Sequence, residues 1–178
     1  MILAKEFYFI RHGQTDHNIS KDQYKGDHIS TIPLNETGRK QALAIQPVIA
    51  TLPFHAVYSS PMKRAKETAE LITQQTYVEI EDLSECTLEV WQEMYQRGMY
   101  TPLPVEGKMR FFAEKVLRGI NQVLSQPGTP LIIAHGGIHW ALCSLINIET
   151  HPWGIENCDV VHFFPQSTNK WAARKMTS

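Results

Sequence analysis

Leu131-Ile132-Ile133-Ala134-His135-Gly136-Gly137 decides how this chain is read. Four apolar residues that stop at a glycine pair describe a strand covered on both faces and ended by a turn. Phe7-Tyr8-Phe9-Ile10 ahead of Arg11-His12-Gly13 repeats the pattern, and Ala56-Val57-Tyr58 and Tyr77 to Ile80 read as further short strands. Helical patterns lie between them. Asn35 or Thr37 caps an apolar set at Ala42, Ile45 and Ile49, bent or ended near Pro47. Ser60-Pro61 supplies a capping hydroxyl and a first-turn proline for Ala65, Thr68, Ala69 and Ile72. Phe111, Phe112, Val116, Ile120 and Val123 predict a helix over 108–124, and 138–146 predicts another that is almost wholly apolar. Asp159 to Phe164 and Trp171 to Ala173 suggest late strands. Such alternation predicts an α/β fold with three α/β/α layers and a mostly parallel central sheet.

The length of 178 residues predicts one domain over 1–178. Seventeen Lys and Arg against 18 Asp and Glu leave a charge of −1, so no overall field draws in nucleic acid or an acidic membrane. A hydrophobic share of 43% with 20% charged residues excludes a disordered or fibrous chain. No formal charge falls between Arg118 and Glu149, but the prolines, glycines, amides and histidines there read as buried core and not bilayer. Cys86, Cys143 and Cys158 have no metal-site spacing and read as reduced structural thiols. Lys5 and Glu6 interrupt what would be a leader's apolar stretch, so a cytoplasmic location is expected. Residues 86–107, with Gly98, Pro102, Pro104 and Gly107 among aromatics, read either as a surface excursion or as a lid over a site.

In open parallel sheets, ligands bind beyond the carboxyl ends of the strands. Arg11-His12-Gly13 and His135-Gly136-Gly137 both fall there, so the two histidines are expected to face each other across adjacent strand ends. Arg64 sits in the first turn of a predicted helix, adding its charge to the positive helix end. Two arginines and two histidines describe a site for a dianion, and the planar guanidinium fork matches phosphate oxygens. A neutral imidazole beside a clamped phosphoryl group can also accept it covalently. The leaving alkoxide then needs a proton, which a carboxylic acid at the rim would supply. His135 and His139 stand at a zinc-like spacing, but the glycine pair is expected to break that helix, and no metal or other cofactor is expected.

The chain resembles the histidine phosphatase superfamily, the phosphoglycerate mutase-like family. The resemblance is carried by Arg11-His12-Gly13-Gln14-Thr15 with Asn18, by Leu34-Asn35-Glu36-Thr37-Gly38 with Gln41-Ala42, and by Ser59-Ser60-Pro61 with Arg64-Ala65 and Thr68-Ala69. Leu83 with Glu85, Ala134-His135-Gly136-Gly137 and Asn157 extend it over about residues 7 to 164. It implies that His12 is the nucleophile and that Arg11, Arg64 and His135 bind phosphoryl oxygens. It also implies Glu85 as the proton donor and Asn18 as a further pocket contact, with Glu81, Asp82, Glu89 and Glu93 near enough in sequence to be alternatives to Glu85. Gln14 replaces a common glutamate, only Trp91 remains of the motif after the acid, and Pro104-Val105-Glu106-Gly107 keeps only a glutamate, departures that bear on the substrate side. Thr15, Trp91, Tyr95 and Gly136 are expected to line that side.

The function expected is a metal-independent phosphomonoester hydrolase of the histidine acid phosphatase type, acting on a small phosphorylated metabolite. Aromatics at 91–100 favour a substrate with a ring or apolar portion. The alternatives are mutase-type phosphoryl transfer, which the 49 residues between Glu85 and His135 disfavour, and a non-catalytic phospho-ligand binder.

Overall fold

In the computed structural model, which describes residues 1–20, 26–97, 103–146, 148, 154–167 and 169–176, the elements follow the expected alternation. They are β1 (Phe7–Arg11), α1 (Asp16–Ile19), α2 (Glu36–Ile49), β2 (Ala56–Ser59), α3 (Lys63–Thr73), β3 (Tyr77–Glu79), α4 (Leu88–Arg97), α5 (Lys108–Leu124), β4 (Pro130–Ala134), α6 (Gly136–Ile146), β5 (Val160–Ser167) and β6 (Lys170–Lys175). Short 3-10 segments lie at Gly26–Thr31 and Glu81–Leu83. The sheet order is β3-β2-β4-β1-β5-β6, parallel from β3 to β1 and antiparallel through β5 and β6.

The apolar runs of β1 and β4 are uninterrupted because each of these strands serves two cores. Phe7, Phe9, Ile132 and Ala134 pack with residues of α4, α5 and α6, while Tyr8, Ile10, Leu131 and Ile133 pack with α2 and α3. Register places Arg11 opposite Ala134, so β1 and β4 end side by side. That pairing brings the segments after both strands to one place.

Helix α2 does end near Pro47, two residues on at Ile49, where a proline in the last turn forfeits one backbone bond at little cost. Several expectations are corrected. Helix α3 starts at Lys63 with Met62 at its N-cap, so Ser60 and Pro61 precede it. Phe111 is 66% exposed, whereas Phe112 is buried. Gly136 and Gly137 open α6 instead of breaking it, since first-turn residues need helical angles but no side chain. Within 86–107, α4 buries Val90 and Met94 in the core, and 98–102 lie outside the described residues.

Gly13 and Gly38 mark a close backbone approach. A Cβ on Gly13 would crowd the Gly38 carbonyl, and one on Gly38 would overlap the Gln14 backbone. The loop after β1 is thereby pressed onto the start of α2, where Asn35 caps the helix and donates from its side chain to Gln14 Oε1.

Candidate active site

His12 and His135 follow adjacent strands, and their ring centroids lie 5.1 Å apart. His12 is 3% exposed and its Nδ1 lies 2.7 Å from the Gly13 carbonyl. A carbonyl only accepts, so Nδ1 carries the proton and Nε2 keeps its lone pair. Arg64 Nε donates to that nitrogen at 3.1 Å. Burial, and then the Arg64 charge, hold the His12 imidazole well below its ordinary value, leaving it neutral at pH 7.

Arg64 is itself 3% exposed, and its NH1 donates to the Ile29 carbonyl at 2.7 Å. Burial pulls this guanidinium down to about 10, still charged at neutral pH. Arg11 donates through NH1 to the Ile155 carbonyl at 2.6 Å, which fixes its head while leaving Nε buried with no partner among the described residues. His135 Nε2 lies 2.7 Å from Ser60 Oγ, which also accepts from the Met62 N–H. His135 Nδ1 is buried, again without a partner among the described residues. Buried polar nitrogens without partners are rare, and two beside a neutral imidazole and a second guanidinium suit a ligand rich in anionic oxygens.

Glu85 follows the Glu81–Leu83 turn and reaches the first turn of α6. Its Oε1 accepts from Cys86 N at 3.0 Å and its Oε2 from Gly137 N at 3.2 Å. Desolvation raises its pKa, against the opposing pull of the Cys86 N–H and then Arg64. The neighbouring acids are engaged elsewhere: Asp82 pairs with Arg118, Glu89 with Lys108 and Glu93 with Arg97, and Glu81 is exposed and accepts from Ser84.

Asn18 and Thr15 shape the loop. Asn18 Oδ1 accepts from Thr15 N at 2.9 Å and from the Thr15 hydroxyl at 3.1 Å, and Thr15 is fully buried. Asn157 Nδ2 ties this loop down through the His12 carbonyl at 2.8 Å. Trp91 reaches the site differently. A Cβ on Gly136 would lie 3.5 Å from the Trp91 ring and 3.7 Å from Arg11 Nε, so indole, guanidinium and the start of α6 meet at one point. Tyr95 stacks on Trp91 at 5.7 Å and is 60% exposed, extending the aromatic surface outward.

Three supports escaped the sequence reading. Thr68 Oγ1 accepts from Gly13 N and donates to the Arg64 carbonyl, a role that neither its place on the buried face of α3 nor its part in the resemblance specified. Ser60 looked like a helix cap but orients His135. The Ile29 carbonyl on Arg64 has no sequence signature, being backbone. His139 packs between Phe9 and Phe163, so it shares no site with His135. Among the described residues, no group of three or more His, Cys, Asp or Glu is placed to hold a metal ion, and no helix is long and apolar enough to cross a membrane.

A neutral buried imidazole beside guanidinium groups thus sits at the carboxyl ends of parallel strands, an arrangement suited to an anionic ligand. The chain matches the histidine phosphatase superfamily (branch 1) over residues 7–176 and belongs to that family. The "Uncharacterized phosphatase PhoE" of Bacillus subtilis is 30% identical over 149 residues, covering 78% of this chain and 75% of that one. An agropine synthesis reductase of Rhizobium rhizogenes is 27% identical over 178 residues, 89% of this chain. This chain spans only 39% of that relative's length. Among solved structures, Bacillus stearothermophilus YhfR superposes with a TM-score of 0.73 at 20% identity over 97% of this chain and 96% of that one. A phosphoserine phosphatase from Entamoeba histolytica, in complex with 3-phosphoglyceric acid, gives 0.72 at 20% identity over 98% of both chains. These superpositions show the phosphoglycerate mutase-like α/β fold.

Proposed function

We propose that this protein is a phosphomonoester hydrolase that works through a phosphorylated His12. The observation that carries the reading is the His12 tautomer: Nδ1–H is committed to the Gly13 carbonyl, so the Nε2 lone pair faces the Arg64 guanidinium. A phosphoryl group bound by Arg11, Arg64 and His135 brings its phosphorus to Nε2. The N–P bond forms as the ester P–O bond breaks, and the departing alkoxide takes the Glu85 proton. In the second step the Glu85 carboxylate removes a proton from water, the oxygen attacks phosphorus, and the N–P bond breaks. Inorganic phosphate leaves, and both His12 and Glu85 return to their starting forms. Fixed guanidinium groups neutralise oxygen charge throughout.

The acid is tested by leaving group. Glu85→Gln is expected to lower kcat/KM, which reports the phosphoryl transfer to His12, by about 10²- to 10⁴-fold for an alkyl phosphate while sparing kcat/KM for 2,4-dinitrophenyl phosphate, whose phenolate needs no proton. Wild type should need neutral His12 and protonated Glu85, giving a rate that falls at low pH and again at high pH. The upper fall should be absent in Glu85→Gln. Equal losses on both esters would remove Glu85 from this role.

The Trp91–Tyr95 surface supports a substrate whose alcohol portion carries a ring, such as an aryl or nucleoside-like phosphate. Trp91→Ala should lower kcat/KM for such esters by about 2- to 10-fold through KM, leaving glycerol phosphate unaffected. An equal effect on glycerol phosphate would sink the stacking account.

A further inference from the structure

We infer that Gly137 is a positioning residue for the Glu85 carboxyl: the first turn of α6 holds that group with a backbone N–H and leaves it room by having no side chain. The inference rests on reading Glu85 as the proton donor, and it extends that reading to a residue that touches no substrate.

Gly137 contributes twice. Its N–H donates to Glu85 Oε2 at 3.2 Å, while Cys86 N donates to Oε1 at 3.0 Å. Its missing Cβ matters more. A methyl group there would overlap Glu85 Oε1, lie 3.2 Å from the carboxyl carbon and meet Cys86 Sγ at 2.9 Å. Gly136, one residue earlier, has only ordinary contacts at the same position, 3.5 Å or more away, so the crowding is specific to Gly137. Neither glycine has a positive φ, so conformational freedom does not explain a glycine at 137. Alanine would favour the helix. The space beside the carboxyl is what glycine provides. A carboxylic acid must lie within hydrogen-bond reach of the departing oxygen, and a displacement of about 1 Å in a catalytic site can cost on the order of 10²-fold in rate.

The test compares Gly137→Ala, Glu85→Gln, Glu85→Asp and the Gly137→Ala/Glu85→Asp double variant on an alkyl phosphate and on 2,4-dinitrophenyl phosphate. Gly137→Ala is expected to lower kcat/KM on the alkyl ester by about 10²-fold and to leave kcat/KM on the dinitrophenyl ester close to wild type. The shorter aspartate withdraws from the added methyl, so the double variant should be faster than Gly137→Ala alone, although Glu85→Asp is slower than wild type. If Gly137→Ala fails to fold and the double variant folds, the overlap still maps to Glu85 and the inference stands. A loss equal on both esters, or no loss on either, while Glu85→Gln remains selective for the alkyl ester, overturns the positioning role alone. If Glu85→Gln is itself unselective, the proton-donor reading falls and takes this inference with it.

Discussion

His12→Ala is expected to lower kcat by on the order of 10⁴- to 10⁶-fold, the loss seen when a covalent nucleophile is removed from a site that otherwise remains assembled. The expectation is this large because no neighbouring group can substitute. His135 is close, but its Nε2 is engaged by Ser60 Oγ at 2.7 Å. Phosphate affinity should survive, since Arg11, Arg64 and His135 all remain. Steady-state kinetics with an alkyl and an aryl phosphate, together with calorimetric titration of inorganic phosphate, check both halves. A variant that binds phosphate but retains more than a small fraction of turnover would show that water attacks the ester directly.

Arg64→Met should reduce kcat/KM by about 10²- to 10³-fold, the cost of losing one preorganised charge on the reacting oxygens. It should also move the lower limb of the pH profile in a defined direction. The Arg64 charge disfavours a second positive charge on His12 and so lowers its pKa. Without that charge the imidazole protonates more readily, its pKa rises, and activity begins to fall at a higher pH than in wild type. Arg64→Lys keeps the charge but loses the fork that holds both His12 and the Ile29 carbonyl, so it should recover the pH profile better than the rate. A rate loss with an unmoved lower limb would mean that His12 protonation does not govern that limb.

Much of this site was legible because its parts lie directly after apolar strands. Phe7–Arg11 and Pro130–Ala134 announce themselves by hydrophobicity on both faces, and once they pair in parallel, His12 and His135 have to meet. The helix over 108–124 was equally plain from its apolar spacing, and the structure reproduces those bounds. Phe111 breaks its pattern because a helix position one step off the buried stripe is exposed whatever residue occupies it. The start of α3 was misjudged because serine and proline suit both a helix cap and a turn before it. Here the Ser60 hydroxyl is spent on His135 and the Met62 N–H. What sequence could not convey is carried by backbone: the Ile29 and Ile155 carbonyls that aim the arginines, and the Cys86 and Gly137 amides that hold Glu85. Such partners depend on where the chain returns in space, and any residue type can offer them.

The central claim is that His12 itself carries the phosphoryl group. Its most direct measurement is a rapid quench into alkali during turnover, followed by intact mass and peptide mapping, because a phosphohistidine survives base and is lost in acid. The account predicts a mass gain of one phosphoryl group, located on His12, that decays at the rate of phosphate release and is absent from His12→Ala. Hydrolysis proceeding at full rate with no phosphorylated protein at any time, or with the phosphoryl group on another residue, would contradict it.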